Sequence, residues 1–149
     1  MSVEENLRKI DASIEAFNAR DMDRFVGLQA ESSARHAPPA PEPRKGRDAL
    51  RDYLQGLANA FQGLVNAFPD GQIEKVRAFG QGDWTIAELA FTGTHTGPLP
   101  GPGGEAIPAT NKPVRLPYAV VSKFEGGEVT EEHEYWDQLG FMAQPGLAP

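Results

Sequence analysis

Leu7, Ile10, Ile14 and Phe17 recur at helical spacing with charged residues on the other faces. They predict an amphipathic helix from Ser2 to about Arg20. Ser2 and Glu5 stand at capping-box spacing, which satisfies free backbone donors at a helix start. Asn18-Ala19-Arg20-Asp21 breaks the run, and Asp21 is placed to cap a second short helix carrying Phe25 and Leu28. Between His36 and Lys45 stand four prolines, Pro38, Pro39, Pro41 and Pro43, which fix the backbone and remove donors, so this stretch reads as a loop. Gly46 then precedes a third apolar stripe of Leu50, Tyr53, Leu54, Leu57, Phe61 and Leu64, predicting a helix over about Arg47 to Asn66. Phe68-Pro69-Asp70-Gly71 closes it with turn chemistry.

From Gln72 onward the period changes. Gln72 to Phe79, Trp84 to His95, Pro113 to Phe124 and Glu128 to Asp137 read as four strands. Gly80-Gln81-Gly82-Asp83 and Glu125-Gly126-Gly127 read as hairpin turns, and Gly97 to Lys112 as a long Gly/Pro-rich loop over a pocket mouth. Helices followed by antiparallel strands define an α+β fold.

The length of 149 residues is that of a single domain, covering residues 1–149. The chain has no cysteine, so disulfides, thiolate metal sites and a cysteine nucleophile are excluded. A net charge of −7 disfavours nucleic acid and anionic membrane as partners, since both need a basic surface. No apolar run approaches a membrane span, and the polar start Met1-Ser2-Val3-Glu4-Glu5 lacks the pattern of a secretion signal. These features lead to the expectation of a cytoplasmic protein. No phosphate-binding loop or dinucleotide fingerprint is present, and the three histidines show no metal-ligand spacing, so neither a cofactor nor a metal is expected.

Several segments in order resemble the SnoaL-like polyketide cyclases of the nuclear transport factor 2-like superfamily. They are Phe17-Asn18-Ala19-Arg20-Asp21, Gly46-Arg47-Asp48-Ala49-Leu50, Phe68-Pro69-Asp70, Gly93-Thr94-His95-Thr96-Gly97 and Tyr135-Trp136-Asp137. The resemblance implies a cone, in which a curved antiparallel sheet wraps around three N-terminal helices and encloses a pocket. It also implies a homodimer through the sheet. Its enzymes use a buried carboxylate to move a proton beside a carbonyl or to activate water.

The last strand separates its residues into two faces, Thr130, Glu132, Glu134 and Trp136 on one and Val129, Glu131, His133, Tyr135 and Asp137 on the other. The resemblance places the catalytic acid at Glu134, where those enzymes carry Asp. Glu132 shares its face, so the two are either paired carboxylates that share a proton or a solvated strand edge. Asp137 is either a further acid or the cap of the segment that follows. His133 and Tyr135 belong to the dimer face.

His95 ends the core face of the second strand, as either a general base or donor, or a structural hydrogen bond fixing the adjacent loop. His36, before the proline-rich loop, is the other candidate to reach the cavity, with surface exposure as its alternative. Trp84, Trp136, Tyr118 and Tyr53 are candidate pocket walls, with plain core packing as theirs. The epoxide hydrolases of the superfamily need an Arg and an Asp on the second strand, and Ala87-Glu88-Leu89-Ala90 supplies no such pair. Two functions follow. One is a cofactor-independent cyclase or isomerase acting on an apolar, carbonyl-bearing small molecule, with Glu134 as proton acceptor and His95 or His36 as polarising donor. The other is a noncatalytic ligand-binding or dimerisation domain of the same fold.

Overall fold

A capping box opens the first helix, α1 (Val3–Asn18): the Ser2 hydroxyl accepts the Glu5 N–H at 3.2 Å, and the Glu5 carboxylate accepts the Ser2 N–H at 2.7 Å. The computed structural model describes residues 2–36, 62–100 and 103–147. Arg20 takes a positive φ of 61° just after α1, and the chain turns into α2 (Met22–Gly27). Strand β1 (Gln29–His36) follows. Of the third helix expected from the apolar stripe, residues 62–67 are described (α3). Its earlier part, with Tyr53, lies outside the described residues.

The sheet is built from β2 (Gln72–Gln81), β3 (Trp84–Thr94), β6 (Pro113–Glu125) and β7 (Glu128–Trp136), with β1 at its edge. The order is β1-β7-β6-β3-β2. Neighbours among β2, β3, β6 and β7 are antiparallel, whereas β1 pairs with β7 in parallel. The alternation in the sequence predicts all four antiparallel strands. It does not announce β1, whose residues Gln29-Ala30-Glu31-Ser32-Ser33-Ala34-Arg35-His36 carry no apolar period. The β6–β7 turn has Gly126 at φ 60° and Gly127 at φ 83°, the two left-handed positions of a primed hairpin turn. Within the long loop, β4 (Leu99–Pro100) and β5 (Ala106–Ile107) form a short separate ladder. The last helix is α4 (Gln138–Ala143), where the Asp137 carboxylate accepts the Gly140 N–H at 2.8 Å. Asp137 is therefore a helix cap.

Helices cover one face of the sheet. Phe17, Ala67, Phe68, Phe91 and Val114 are buried together at one end of that layer. Ala87, Leu89 and Val120, packed against Ile10 and Ile14 of α1, form a second cluster.

Three polar side chains join these parts. The Asn18 carboxamide donates to the Ile73 carbonyl at 2.9 Å and accepts the Ile73 N–H at 2.8 Å, acting as one more residue of ladder against the edge strand β2. The Arg20 guanidinium donates to the carbonyls of Pro69 and Gly71 at 3.0 and 2.6 Å, tying the end of α1 to the 68–71 turn. Asp70 accepts the Thr94 N–H at 2.8 Å, and that bond, aided by nearby Arg20, holds its carboxyl below the usual range. Asn18→Ala leaves both Ile73 backbone groups without their partner. The expected loss is about 1–3 kcal/mol, read from urea unfolding. A variant as stable as the wild type would mean that water replaces the carboxamide there without cost.

Candidate functional site

The pocket lies over the second apolar cluster, between α1 and the inner face of the sheet. Ile10, Ser13 and Ile14 of α1 form one wall, and Phe25 and Ile73 close a side. The opposite wall is the sheet itself: Ala87 and Leu89 of β3, Tyr118, Val120 and Ser122 of β6, and Glu132 and Glu134 of β7. Apart from the two serines, the carboxylates and the Tyr118 hydroxyl, this lining is apolar.

Strand register explains why these side chains meet. Ala87 stands opposite Val120, and Val120 opposite Glu134, so Glu134 ends a row that crosses three strands. Thr85, Ser122 and Glu132 form the next row, and Leu89, Tyr118 and Trp136 the row on the other side. Directly opposed residues on one face bring their Cβ atoms to about 4.5–5.5 Å. Glu132 is buried, 6% exposed, whereas Glu134 is half-buried. Two carboxylates two positions apart on one strand thus face the same apolar pocket, and the reading of both as a solvated edge does not describe them.

The other candidates are distributed differently. Tyr118 is a pocket wall. Trp136 shares the inner face but packs edge-on against Phe141 of α4, with ring centroids 6.4 Å apart. Trp84 is 38% exposed on the outer face, because it alternates with buried Thr85 and Ala87. The expectation that Trp84 lines the pocket is corrected by that parity. The backbone of His36 pairs with that of His133 in the parallel ladder at the sheet edge.

His95 does not accompany Glu134. It stands eight residues after Ala87, whose row contains Glu134, and so about 25 Å further along an extended chain. Its ring is fully buried, 5.4 Å from the Phe68 ring centroid. Nδ1 accepts the Thr110 N–H at 3.3 Å and lies 3.0 Å from the Thr110 hydroxyl. Its backbone N–H donates to the Lys112 carbonyl at 3.0 Å, and its carbonyl accepts the Asn111 N–H at 2.8 Å. Every one of these bonds fixes the two ends of the long loop. These bonds match the loop-fastening alternative for His95, whose Nε2 is buried without a partner among the described residues.

Sequence reasoning passes over Ser122 and Ser13. Ser122 has the same parity as Tyr118 on β6 and was recoverable from that alone. Ser13 lies between the apolar positions Ile10 and Ile14 of the helix stripe, where an apolar count gives it no weight. His133 and Tyr135 are on the outer face, where their rings stack 6.5 Å apart and the His133 Nε2 lies 2.7 Å from a Glu131 carboxylate oxygen. Since His133 faces outward and His95 inward, the two do not share a site. Glu88 also lies on the outer face and pairs with Arg77 at 2.7 Å.

The profile of the SnoaL-like polyketide cyclases matches residues 8–145. Among solved structures, AclR of Streptomyces galilaeus, a proposed hydroxylase, aligns with a TM-score of 0.79 at 18% identity, over 99% of this chain and 85% of that one. IdmH of Streptomyces antibioticus, a proposed polyketide cyclase, gives 0.74 at 23% identity, over 95% and 98%. A proposed polyketide cyclase of Xanthomonas campestris pv. campestris gives 0.73 at 20% identity, over 97% and 98%. At these identities the likeness is one of fold. No curated protein matches the chain significantly.

Proposed function

Given that the chain belongs to the SnoaL-like polyketide cyclase family, we propose that it is an acid–base enzyme. It moves a proton at the carbon beside a carbonyl of an apolar small molecule, in a ring closure or an isomerisation. The observation that carries this reading is the pair Glu132 and Glu134, set on one wall of an otherwise apolar pocket. An apolar lining selects an apolar ligand, and a carboxylate there is a base held in reach of it.

Glu134 is the base in this reading. Its carboxylate takes the α-proton, the C–H electron pair forms a carbon–carbon double bond, and the carbonyl π pair moves onto oxygen. Where a double bond is conjugated to it, the enolate takes the proton back from Glu134 at the far carbon of the dienolate. Otherwise its α-carbon attacks a second carbonyl of the same molecule, that carbonyl's π pair moves onto its oxygen, and the alkoxide takes the proton from Glu134. Glu132 stands in the adjoining row of the same pocket wall. The competing reading, a noncatalytic binding domain, draws on the distance of His95 from the pocket.

Exchange of α-protons separates the two. The purified protein should speed incorporation of deuterium from D2O beside the carbonyl of 1-indanone, followed by proton NMR, above the rate in protein-free buffer. A rate equal to buffer with 1-indanone demonstrably bound would leave the binding domain as the answer.

The same reading includes a homodimer through the outer sheet face. Phe79 and Tyr135 are 55% and 60% exposed there, and Val76, Trp84 and Ile86 are exposed around them. A second copy of the chain supplies a matching apolar face of the kind that symmetric interfaces bury. Light scattering at micromolar concentration should give twice the 16.1 kDa of one chain. A mass of one chain throughout would contradict it.

A further inference from the structure

Ser122 is fully buried, lines the pocket, and its hydroxyl has no hydrogen-bond partner among the described residues. Two neighbours just outside the pocket lining are also buried without a side-chain partner among the described residues. Thr85, directly opposite on β3, is 1% exposed and its hydroxyl is likewise unpartnered. Asn6 of α1 is fully buried, with neither its amide nitrogen nor its oxygen partnered. Val3 and Thr85 both pack against Gly80, which places the start of α1 over this end of the sheet. Asn6 is one helical turn beyond Val3 and one before Ile10, itself a pocket wall, so it faces the same region.

Buried polar groups lose their hydration, and folded proteins rarely leave them without replacement bonds. Three such side chains, Ser122 in the pocket wall and Thr85 and Asn6 next to it, are not needed for packing. Alanine and valine would fill the two hydroxyl positions without the loss. Their common feature is that each can donate a hydrogen bond to oxygen.

We propose that this end of the pocket is an oxygen-recognising subsite, in which the Ser122 hydroxyl donates to a neutral ligand oxygen, a ketone carbonyl or a phenolic hydroxyl. Thr85 and Asn6 add unpartnered polar groups directly behind it. The ligand oxygen is neutral because Glu132 and Glu134 line the same pocket and repel an anion. Ser122 and Glu134 are diagonal neighbours across β6 and β7, about 7–8 Å apart at most between their Cβ atoms. That separation fits a C–C=O unit with its oxygen at Ser122 and its α-carbon at Glu134. The assignment rests on the proposed proton transfer only for this orientation, because the subsite itself is read from the unpartnered groups. It also supplies near Glu134 the donor that His95 does not.

The test uses the full chain and two probes of matching shape, 1-indanone and indane, in ligand-observed NMR titrations. Wild-type protein should bind the ketone roughly tenfold more tightly than the hydrocarbon, the size of one well-made hydrogen bond. Ser122→Ala should remove most of that preference, and Ser122→Ala with Thr85→Val all of it. Both substitutions delete a group without leaving a partner unpaired, so thermal midpoints should hold or rise. Equal affinity for the probes, binding of neither, or a preference that survives the double variant would overturn the subsite in favour of trapped water alone. Glu134→Gln should keep the preference while losing α-proton exchange. Exchange that persists in Glu134→Gln therefore sinks the proton-transfer reading, whereas exchange without ketone preference sinks the subsite.

Discussion

Phe68→Ala should lower the unfolding free energy by about 3–5 kcal/mol, the usual cost of emptying a buried aromatic site. Phe68 is 1% exposed, and its ring meets three others, Phe91 at 5.6 Å, Phe141 at 5.9 Å and His95 at 5.4 Å between centroids. Those rings belong to β3, α4 and the start of the long loop, so one side chain joins three parts of the fold. The site collapses poorly, because its backbone is held on both sides. The Phe68 N–H donates to the Leu64 carbonyl at 2.8 Å, and the Phe68 carbonyl accepts the Gly71 N–H at 2.8 Å. A Cβ on Gly71 would also lie 2.9 Å from both that carbonyl oxygen and the Phe91 ring, so the turn has no slack. Guanidinium chloride unfolding measures the loss. A change below about 1 kcal/mol would mean that the neighbours close the cavity, contrary to this packing. Phe79→Ala is the contrasting case. Its ring is 55% exposed on the outer face, so the substitution should cost the fold little and weaken the proposed self-association instead.

The fold was legible wherever burial imposes a period. Leu7, Ile10, Ile14 and Phe17 mark α1, and the alternation around Leu89 and Phe91 marks the inner face of β3. Strand β1 was not legible. As a polar edge strand held by backbone pairing to β7, it has no need of an alternating apolar face. Helix α4 announced itself only through Asp137, since a helix of six residues carries too short a stripe to read. The candidate site shows the same division. Parity along the last strand groups Glu132 with Glu134, and the pocket contains both. Parity also excludes Trp84, which sits one position out of phase with Thr85. His95 has the right parity and the wrong depth, because alternation says which face a side chain takes and nothing of how far along the sheet it lies. Ser122 shows the converse: its parity was plain, but a serine attracts no attention until its hydroxyl is seen buried without a partner.

Glu134→Gln should reduce α-proton exchange by about 10²–10⁴-fold, the contribution of a positioned general base. The carboxamide keeps the shape of the carboxylate and its place opposite Val120, so far-UV circular dichroism and probe binding should be retained. Glu132→Gln is the necessary companion. It alters the buried neighbour and not the proposed base, so exchange should fall less. Deuterium incorporation into 1-indanone by wild type, Glu134→Gln and Glu132→Gln, each shown folded and ketone-binding, is the most direct measurement of the central claim. The account predicts exchange in the wild type, its near-complete loss in Glu134→Gln, and substantial retention in Glu132→Gln. Undiminished exchange in Glu134→Gln, or loss only in Glu132→Gln, would contradict it.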